Sequence, residues 1–207
     1  MMRRLAVILL AAVTTAAGAA GMGKPAAGPP PEGLAVATFA GGCFWCMEPP
    51  FDKLDGVRET ISGYTGGHVE RPTYRQVGSG GTGHYEAERV VYDPAKISYE
   101  RLLEVYWRNV DPFDPGGQFC DRGRSYRTAI FVHNDEQRRL AEQSKERLAQ
   151  RFDHRIVTPV VDASAFYPAE DYHQDYYRKN PIRYKYYRLR CGRDQRLEAI
   201  WGDEAGG

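Results

Sequence analysis

The alternation of apolar and polar positions divides the chain into short segments. Leu34–Ala40 is an apolar run of strand length that stops at Gly41-Gly42, and it predicts a buried strand. Residues 43–54 turn helical in character, although Pro49 and Pro50 remove backbone donors and predict a short or bent helix. Val57–Tyr64 predicts a second strand, ended by Gly66-Gly67. Residues 65–85 are rich in Gly, Ser and Thr and predict a long loop, of the kind that often carries function in a compact domain. Glu88–Tyr92 predicts a third strand. Tyr99, Leu102, Leu103 and Tyr106 then follow the i, i+3, i+4, i+7 spacing behind Ser98, which predicts a capped amphipathic helix. Residues 111–123 are irregular, and Thr128–His133 predicts a strand. Asn134 and Gln137 have capping-box spacing before a charged helix that runs to about Arg151, and Ile156–Val161 predicts a further strand. The aromatic and polar remainder predicts mostly irregular chain, with a short helix near Asp171. Strands alternating with helices predict an α/β (α+β) layer domain over residues 34–207, with its active groups on loops.

The first 33 residues follow a different rule. Arg3 and Arg4 precede the apolar run Leu5–Val13, and small residues follow at 16–20. The run is too short to span a bilayer comfortably, so residues 1–20 predict a secretory signal peptide, with an uncleaved anchor as the alternative. Residues 21–33, rich in Pro, Gly and Ala, predict a flexible linker. Export would place the protein in the periplasm or another extracytoplasmic space. Over the whole chain the composition is that of a globular domain, 42% hydrophobic and 27% charged. A net charge of +1 offers no basic surface for nucleic acid. Tyrosine is abundant, with 14 copies, many of them between Tyr167 and Tyr187; such a cluster can pack a core edge or line a polar pocket.

The chemistry concentrates at Gly41-Gly42-Cys43-Phe44-Trp45-Cys46. A strand ends, two glycines turn the chain, and a helix starts at a cysteine. A helix start presents unpaired N–H groups and partial positive charge, which favours thiolate; such sites lower a cysteine pKa from about 8.5 to roughly 3.5–7.5. Cys43 is therefore a candidate nucleophile. Cys46 lies three residues on, along the same helix face, where it could attack an oxidised Cys43. In an oxidising compartment the four cysteines (Cys43, Cys46, Cys120, Cys191) allow three complete pairings, and the sequence selects none. A structural disulfide is one alternative for these residues. A zinc site would need two more ligands at suitable spacing, which the isolated Cys120 and Cys191 do not offer. A thioredoxin-like disulfide exchanger shares the strand–CxxC–helix pattern. Phe44 and Trp45 are large for an exchanger and would suit a pocket for a small apolar group such as a sulfur-bound methyl, or else a core.

These segments also match a known pattern. Gly41-Gly42-Cys43-Phe44-Trp45, Gly63-Tyr64-Thr65-Gly66-Gly67, Pro72-Thr73-Tyr74, Gly83-His84-Tyr85-Glu86, Asp121-Arg122-Gly123 with Tyr126-Arg127, and Tyr167-Pro168-Ala169-Glu170-Asp171-Tyr172-His173-Gln174 stand in one order. The set, spanning about residues 34–202, resembles the A-type peptide methionine sulfoxide reductases. The resemblance implies a two-layer mixed-sheet sandwich with a ferredoxin-like (α-β plait) core and long functional loops. It implies that Cys43 attacks the sulfur of a methionine-(S)-sulfoxide, in a peptide or free, and ends as a sulfenic acid. Glu86 would protonate the departing oxygen, Tyr74 and Tyr126 would hydrogen-bond it, and Asp121 would be an acidic neighbour. Phe44 and Trp45 would hold the methyl group, and Tyr176 and Tyr184 would line the substrate pocket. Many relatives resolve the sulfenic acid with cysteines in a glycine-rich tail. This chain instead resembles the subgroup with cysteine three residues after the nucleophile, so Cys46 is the expected resolving thiol and Cys191 the second choice; Cys120 is expected to be buried. The resemblance implies no bound cofactor or metal, a thioredoxin-like external dithiol as reductant, oxidised proteins or peptides as substrates, and a monomer. His84 is expected to be structural.

Overall fold

The computed structural model describes residues 23–206; the segment expected to be a signal peptide lies outside the described residues. In chain order the elements are β1 (Ala35–Gly41), α1 (Phe44–Asp52), β2 (Val57–Thr65), α2 (Tyr74–Gly78), β3 (Tyr85–Tyr92) and α3 (Tyr99–Arg108). There follow β4 (Gly117–Gln118), β5 (Asp121–Arg122), β6 (Thr128–Val132), α4 (Asp135–Phe152), β7 (Val160–Asp162), β8 (Tyr167–Pro168), α5 (Tyr176–Lys179), α6 (Pro181–Arg190) and α7 (Arg193–Trp201). Six strands form one mixed sheet in the order β7-β6-β1-β3-β2-β8, and β4 pairs with β5 apart from it. Neighbours run antiparallel except β6 and β7. The run β1-α1-β2-β3-α3-β6 places its strands in the order β6-β1-β3-β2, with β1 and β3 side by side in the middle.

The period-two alternation of the central strands sorts their side chains into two cores. Ala37 and Phe39 of β1, Val90 and Tyr92 of β3 and Ile130 and Val132 of β6 face the helices, against Phe51 of α1, Leu102, Leu103 and Tyr106 of α3 and Leu140 of α4. Ala40, Ala87, Ala129 and Phe131 belong to a second cluster, closed by Phe166. Phe39 is fully buried and stacks on Phe51, Tyr99 and Tyr106, so it joins β1 to both α1 and α3. The Tyr106 hydroxyl donates to the Ala40 carbonyl at 2.9 Å, fixing α3 near the end of β1 where the cysteines follow.

The helix starts obey their capping signals. Ser98 Oγ accepts from Arg101 N, and Asn134 Oδ1 accepts from Gln137 N at 2.9 Å. Gln137 does not close the box on Asn134. Its side chain instead accepts from His133 N and donates to the Val36 carbonyl, pinning α4 to β1. Residues 23–33, expected as a linker, form no helix or strand; Ala27 N bonds the Phe166 carbonyl, Arg89 Nη2 bonds the Gly28 carbonyl, and Lys24 pairs with Asp171.

Several segments differ from the sequence expectation. The loop at 65–85 contains α2, held by a complete Thr73–Gln76 capping box; it buries Val77 alone, so it carries no apolar period. Strand β3 begins at Tyr85, which puts Glu86 on the sheet. Pairing at the seventh strand is confined to Val160–Asp162, behind Pro159, which lacks an N–H for a ladder. Pro49 and Pro50 fall inside α1, and the helix ends at Asp52. Residues 171–175 form turns rather than the expected helix, whereas the tail expected to be irregular holds α5, α6 and α7. Helix α6 buries no residue, its apolar positions Ile182, Tyr186 and Leu189 standing exposed, and the buried stripe of α7 begins with an arginine, so neither helix shows in the sequence the face it packs.

Replacing Phe39 with alanine removes the ring that joins the two helices to β1. The expected cost is about 3–5 kcal/mol, seen as a lower urea midpoint; a loss under about 1 kcal/mol would contradict this packing.

Candidate active site

The two glycines before Cys43 are required by close approach. A Cβ on Gly41 would stand 2.5 Å from Met47 Sδ, and one on Gly42, where φ is +83°, would stand 2.5 Å from Gln118 Cβ. Cys43 is therefore delivered from the end of a central strand directly to the N-cap of α1. Cys43 and Cys46 are free thiols and both are buried, at 6% and 1% exposure. The Cys43 thiol hydrogen-bonds the Cys46 sulfur, and this sets the charge of the pair. The Cys46 thiol is brought down to about 7, first by that hydrogen bond and then, against its burial, by the charges of Arg193 and Arg188. Cys43 moves the other way: burial, the bond to Cys46 and the charges of Glu86, Cys46 and Asp121 push it well up. A helix start alone would leave Cys43 as thiolate; in the resting site the negative charge belongs to Cys46. Arg193, itself buried, donates to the carbonyls of Gly41 and Asn109, so one guanidinium holds the strand end and faces the thiolate.

Glu86 reaches the same point from β3. Its carboxyl is 1% exposed, and Oε2 accepts from Phe44 N in the first turn of α1 at 3.3 Å. Burial pushes its pKa up to about 8, the Asp121 charge adds to the rise, and the bonds from Phe44 N and Tyr126 only partly offset it. The carboxyl is thus protonated at neutral pH, as an acid must be. The Tyr126 hydroxyl adjoins both Glu86 and Tyr74. Burial pushes Tyr74 up to about 12 and Tyr126 higher still, so both remain proton donors. Cys43, Glu86, Tyr74 and Tyr126 therefore meet at one place, from α1, β3, α2 and the turn before β6.

Aromatic rings close the surroundings. Trp45 is half-buried and stacks on Tyr176 with centroids 3.7 Å apart, while its Nε1 donates to His173 Nδ1 at 3.0 Å. Phe44 is closed off at 1% exposure, against Tyr64 and His173. His173 also touches Tyr74 and Tyr172, and burial lowers its pKa to about 4, so it is a neutral hub of the pocket. Glu170 accepts from Tyr64 Oη and Tyr74 N, fixing α2 to β2. Tyr184 of α6 feels the Cys46 charge and receives a bond from Arg188. His84 bonds Gly67 N and the Val69 carbonyl within its own loop, a structural role.

Asp121 is half-buried beside this cluster and accepts from the Tyr187 hydroxyl. Next to it the expectation for Cys120 fails: the residue is exposed and joined in a disulfide to Cys191. Cys191 follows the last residue of α6, and Cys120 sits on the β4–β5 turn, so the bond fastens the tail over Asp121. These sulfurs and Asp121 are as close together as a set of metal ligands, but the sulfurs are bonded to each other. The structure adds Tyr187, Arg193 and Glu170 to the site residues expected from the sequence, and it places His173, readable as a pocket or packing residue, at the centre of the pocket. Glu170 stands in the quoted motif, while Tyr187 and Arg193 lie in the tail without a spacing signal.

A profile of the family described as "Peptide methionine sulfoxide reductase" matches residues 35–205. The peptide methionine sulfoxide reductase MsrA of Bacillus licheniformis is 56% identical over 169 residues, covering 81% of this chain and 93% of that protein. The MsrA of Bacillus subtilis is 54% identical over 169 residues, covering 81% and 96%. Among solved structures, reduced Mxr1 of Saccharomyces cerevisiae superposes with a TM-score of 0.70 at 30% identity, covering 75% of this chain and 90% of that one. Methionine sulfoxide reductase A of Corynebacterium diphtheriae superposes with a TM-score of 0.68 at 31% identity, covering 78% and 87%. The acid, the paired thiols and the aromatic wall thus stand in a chain that belongs to the peptide methionine sulfoxide reductase family.

Proposed function

We propose that Cys43 takes the oxygen from methionine-(S)-sulfoxide, with Glu86 as the acid and Cys46 first as base and then as resolving thiol. The observation that carries this reading is a carboxyl 1% exposed, held protonated to about pH 8, on the backbone N–H next to Cys43. Sulfoxide oxygen leaves poorly unless protonated. With the oxygen between Glu86, Tyr74 and Tyr126, the Glu86 proton passes to it as the Cys43 sulfur bonds the substrate sulfur. The Cys43 proton passes along its existing hydrogen bond to the Cys46 thiolate. The substrate sulfur–oxygen bond then breaks as the oxygen, now a hydroxyl, bonds the Cys43 sulfur; the Cys43–substrate sulfur bond breaks with its electron pair on the departing methionine, and Cys43 is left as a sulfenic acid. Cys46 then attacks the Cys43 sulfur, and water leaves as the disulfide forms. Trp45, Phe44, Tyr176 and Tyr184 supply the substrate wall, and Asp121 keeps the Glu86 proton in place through its charge.

The reductant is a protein dithiol of the thioredoxin type; yeast Mxr1, a related fold, has been solved in complex with Trx2. Disulfide exchange with large substrates is disfavoured, because Cys46 is too buried for a second protein's disulfide. Export is the accompanying proposal, supported by Arg3, Arg4 and the apolar run Leu5–Val13. N-terminal sequencing of the secreted product should begin near residue 20, and a product retaining Met1 would contradict cleavage.

In single turnover the pre-reduced protein should yield methionine from the S epimer and none from the R epimer, and Cys43→Ser should yield none. Cys46→Ser should still yield one methionine per chain, more slowly because the base is gone, and without a disulfide to Cys43; a Cys43–Cys191 disulfide there would make Cys191 the resolver. Glu86→Gln should lower kcat about 10²–10⁴-fold, and wild-type activity should fall above about pH 8. The same carboxyl affects stability. Its folded pKa of about 8 lies above the ordinary 4.5, so the folded state keeps a proton that the unfolded chain has lost. Stability should therefore fall as pH rises from about 4.5 to about 8 and then level off, and Glu86→Gln should remove that slope in urea titrations.

A further inference from the structure

We propose that the outer face of α6 is a membrane-docking surface, which lays this protein on a bilayer rich in anionic phospholipid. The proposal is independent of the Cys43 chemistry above and uses none of its residues.

The apolar stripe is the first argument. Ile182, Tyr186 and Leu189 are 83%, 64% and 69% exposed. At about 100° per residue they fall within about 60° of one another around the helix. They form one solvent-facing line of large apolar side chains. Tyr184 and Tyr187 point the other way. Tyr184 feels the Cys46 charge, while Tyr187 meets the Trp45 ring edge-on at 5.8 Å and donates to Asp121. Helix α6 thus commits its inner face to the site, and the stripe serves neither the core nor the pocket. Single surface hydrophobes need no explanation, whereas an aligned set on one helix marks a contact surface.

Charge is the second argument, and it selects the occupant. The whole chain is nearly balanced, with 28 basic and 27 acidic residues. Residues 176–193 depart from that balance, because they hold seven Lys or Arg and no Asp or Glu. Arg183 and Arg190 lie about 80° to one side of the stripe and Lys185 about 70° to the other. All three are exposed and pair with no carboxylate among the described residues, whereas Arg188 is paired with Asp194. An apolar line edged on both sides by free cations is the pattern of a helix lying in the lipid interface. Its apolar side chains enter the acyl boundary, its long cations reach back to the headgroup phosphates, and a tyrosine suits the interface itself. A second copy of this chain, docked stripe to stripe, would instead bring these cations against each other.

Anchorage is the third argument. Helix α6 is held along its inner face by Tyr184, Tyr187 and Arg188, and Cys191 just beyond it is bonded to Cys120. The stripe is therefore presented on a fixed platform, with its side chains aligned before any lipid is met. Among the described residues no helix is long and apolar enough to cross a membrane, so docking here is to the surface of the bilayer.

The test is sedimentation of the full chain with lipid vesicles, against two variants that carry the same N-terminal segment. The wild type should pellet with vesicles of equal parts phosphatidylglycerol and phosphatidylcholine, and should lose affinity as salt is raised. Ile182→Ser/Leu189→Ser should bind them at least about tenfold more weakly. Arg183→Gln/Lys185→Gln/Arg190→Gln should bind them about 10²-fold more weakly. All five positions are exposed, so both variants should keep their turnover with dithiothreitol. Equal binding by wild type and variants would assign the attachment to another part of the chain and overturn the proposal. A wild type that stays in solution with the anionic vesicles would overturn it too. So would a lipid-free wild-type dimer that Ile182→Ser/Leu189→Ser converts to monomer, because the stripe would then be an interface between copies.

Discussion

A carboxyl buried against the first turn of a helix is the constraint on which this site depends. Glu86 projects from β3, Phe44 N opens α1, and the bond between them spans 3.3 Å. Neither end can drift. Strand β3 lies in the middle of the sheet between β1 and β2, and α1 is tied to β1 by two glycines too tightly packed to admit a Cβ. Burial penalises the ionised form of the carboxyl, and one backbone bond offsets only part of that. The proton is thus stored by the fold itself, next to the sulfur that will need it moved.

The thiol pair is governed by the same burial. Two buried sulfurs cannot both be thiolates beside Asp121, so they share one negative charge. Arg188 and Arg193 draw it to Cys46, and Cys43 waits as the hydrogen-bond donor. The nucleophile is therefore activated through its neighbour rather than by the helix start alone. The tail that supplies those arginines also supplies Tyr184, Tyr187 and Cys191, and Trp201 of α7 anchors it by donating to the Val110 carbonyl.

Much of this is legible in the chain because it depends on local rules. The strand ending at Gly41-Gly42, the caps at Ser98 and Asn134 and the amphipathic α3 all follow from spacing and side-chain chemistry. The motif residues Cys43, Tyr74, Glu86 and Tyr126 can be named, but their convergence depends on sheet order, which no local pattern encodes. The tail stays hidden for a physical reason. Helix α6 leaves its apolar positions Ile182, Tyr186 and Leu189 exposed and Arg193 heads the buried stripe of α7, so hydrophobic periodicity does not report how the tail packs. The Cys120–Cys191 bond joins residues 71 apart and belongs to one of three pairings the sequence allows. The charge on the cysteine pair differs from the sequence expectation because helix-start electrostatics is local, whereas burial and the opposing arginines are tertiary.

The most direct test of the account is the titration of Glu86 itself, followed by NMR of the protein labelled with ¹³C at glutamate side-chain carboxyls, with Glu86→Gln identifying the resonance. The account predicts a midpoint of about 8. A midpoint near the ordinary glutamate value of 4.5 would contradict it, because an ionised Glu86 could not give the oxygen its proton at neutral pH.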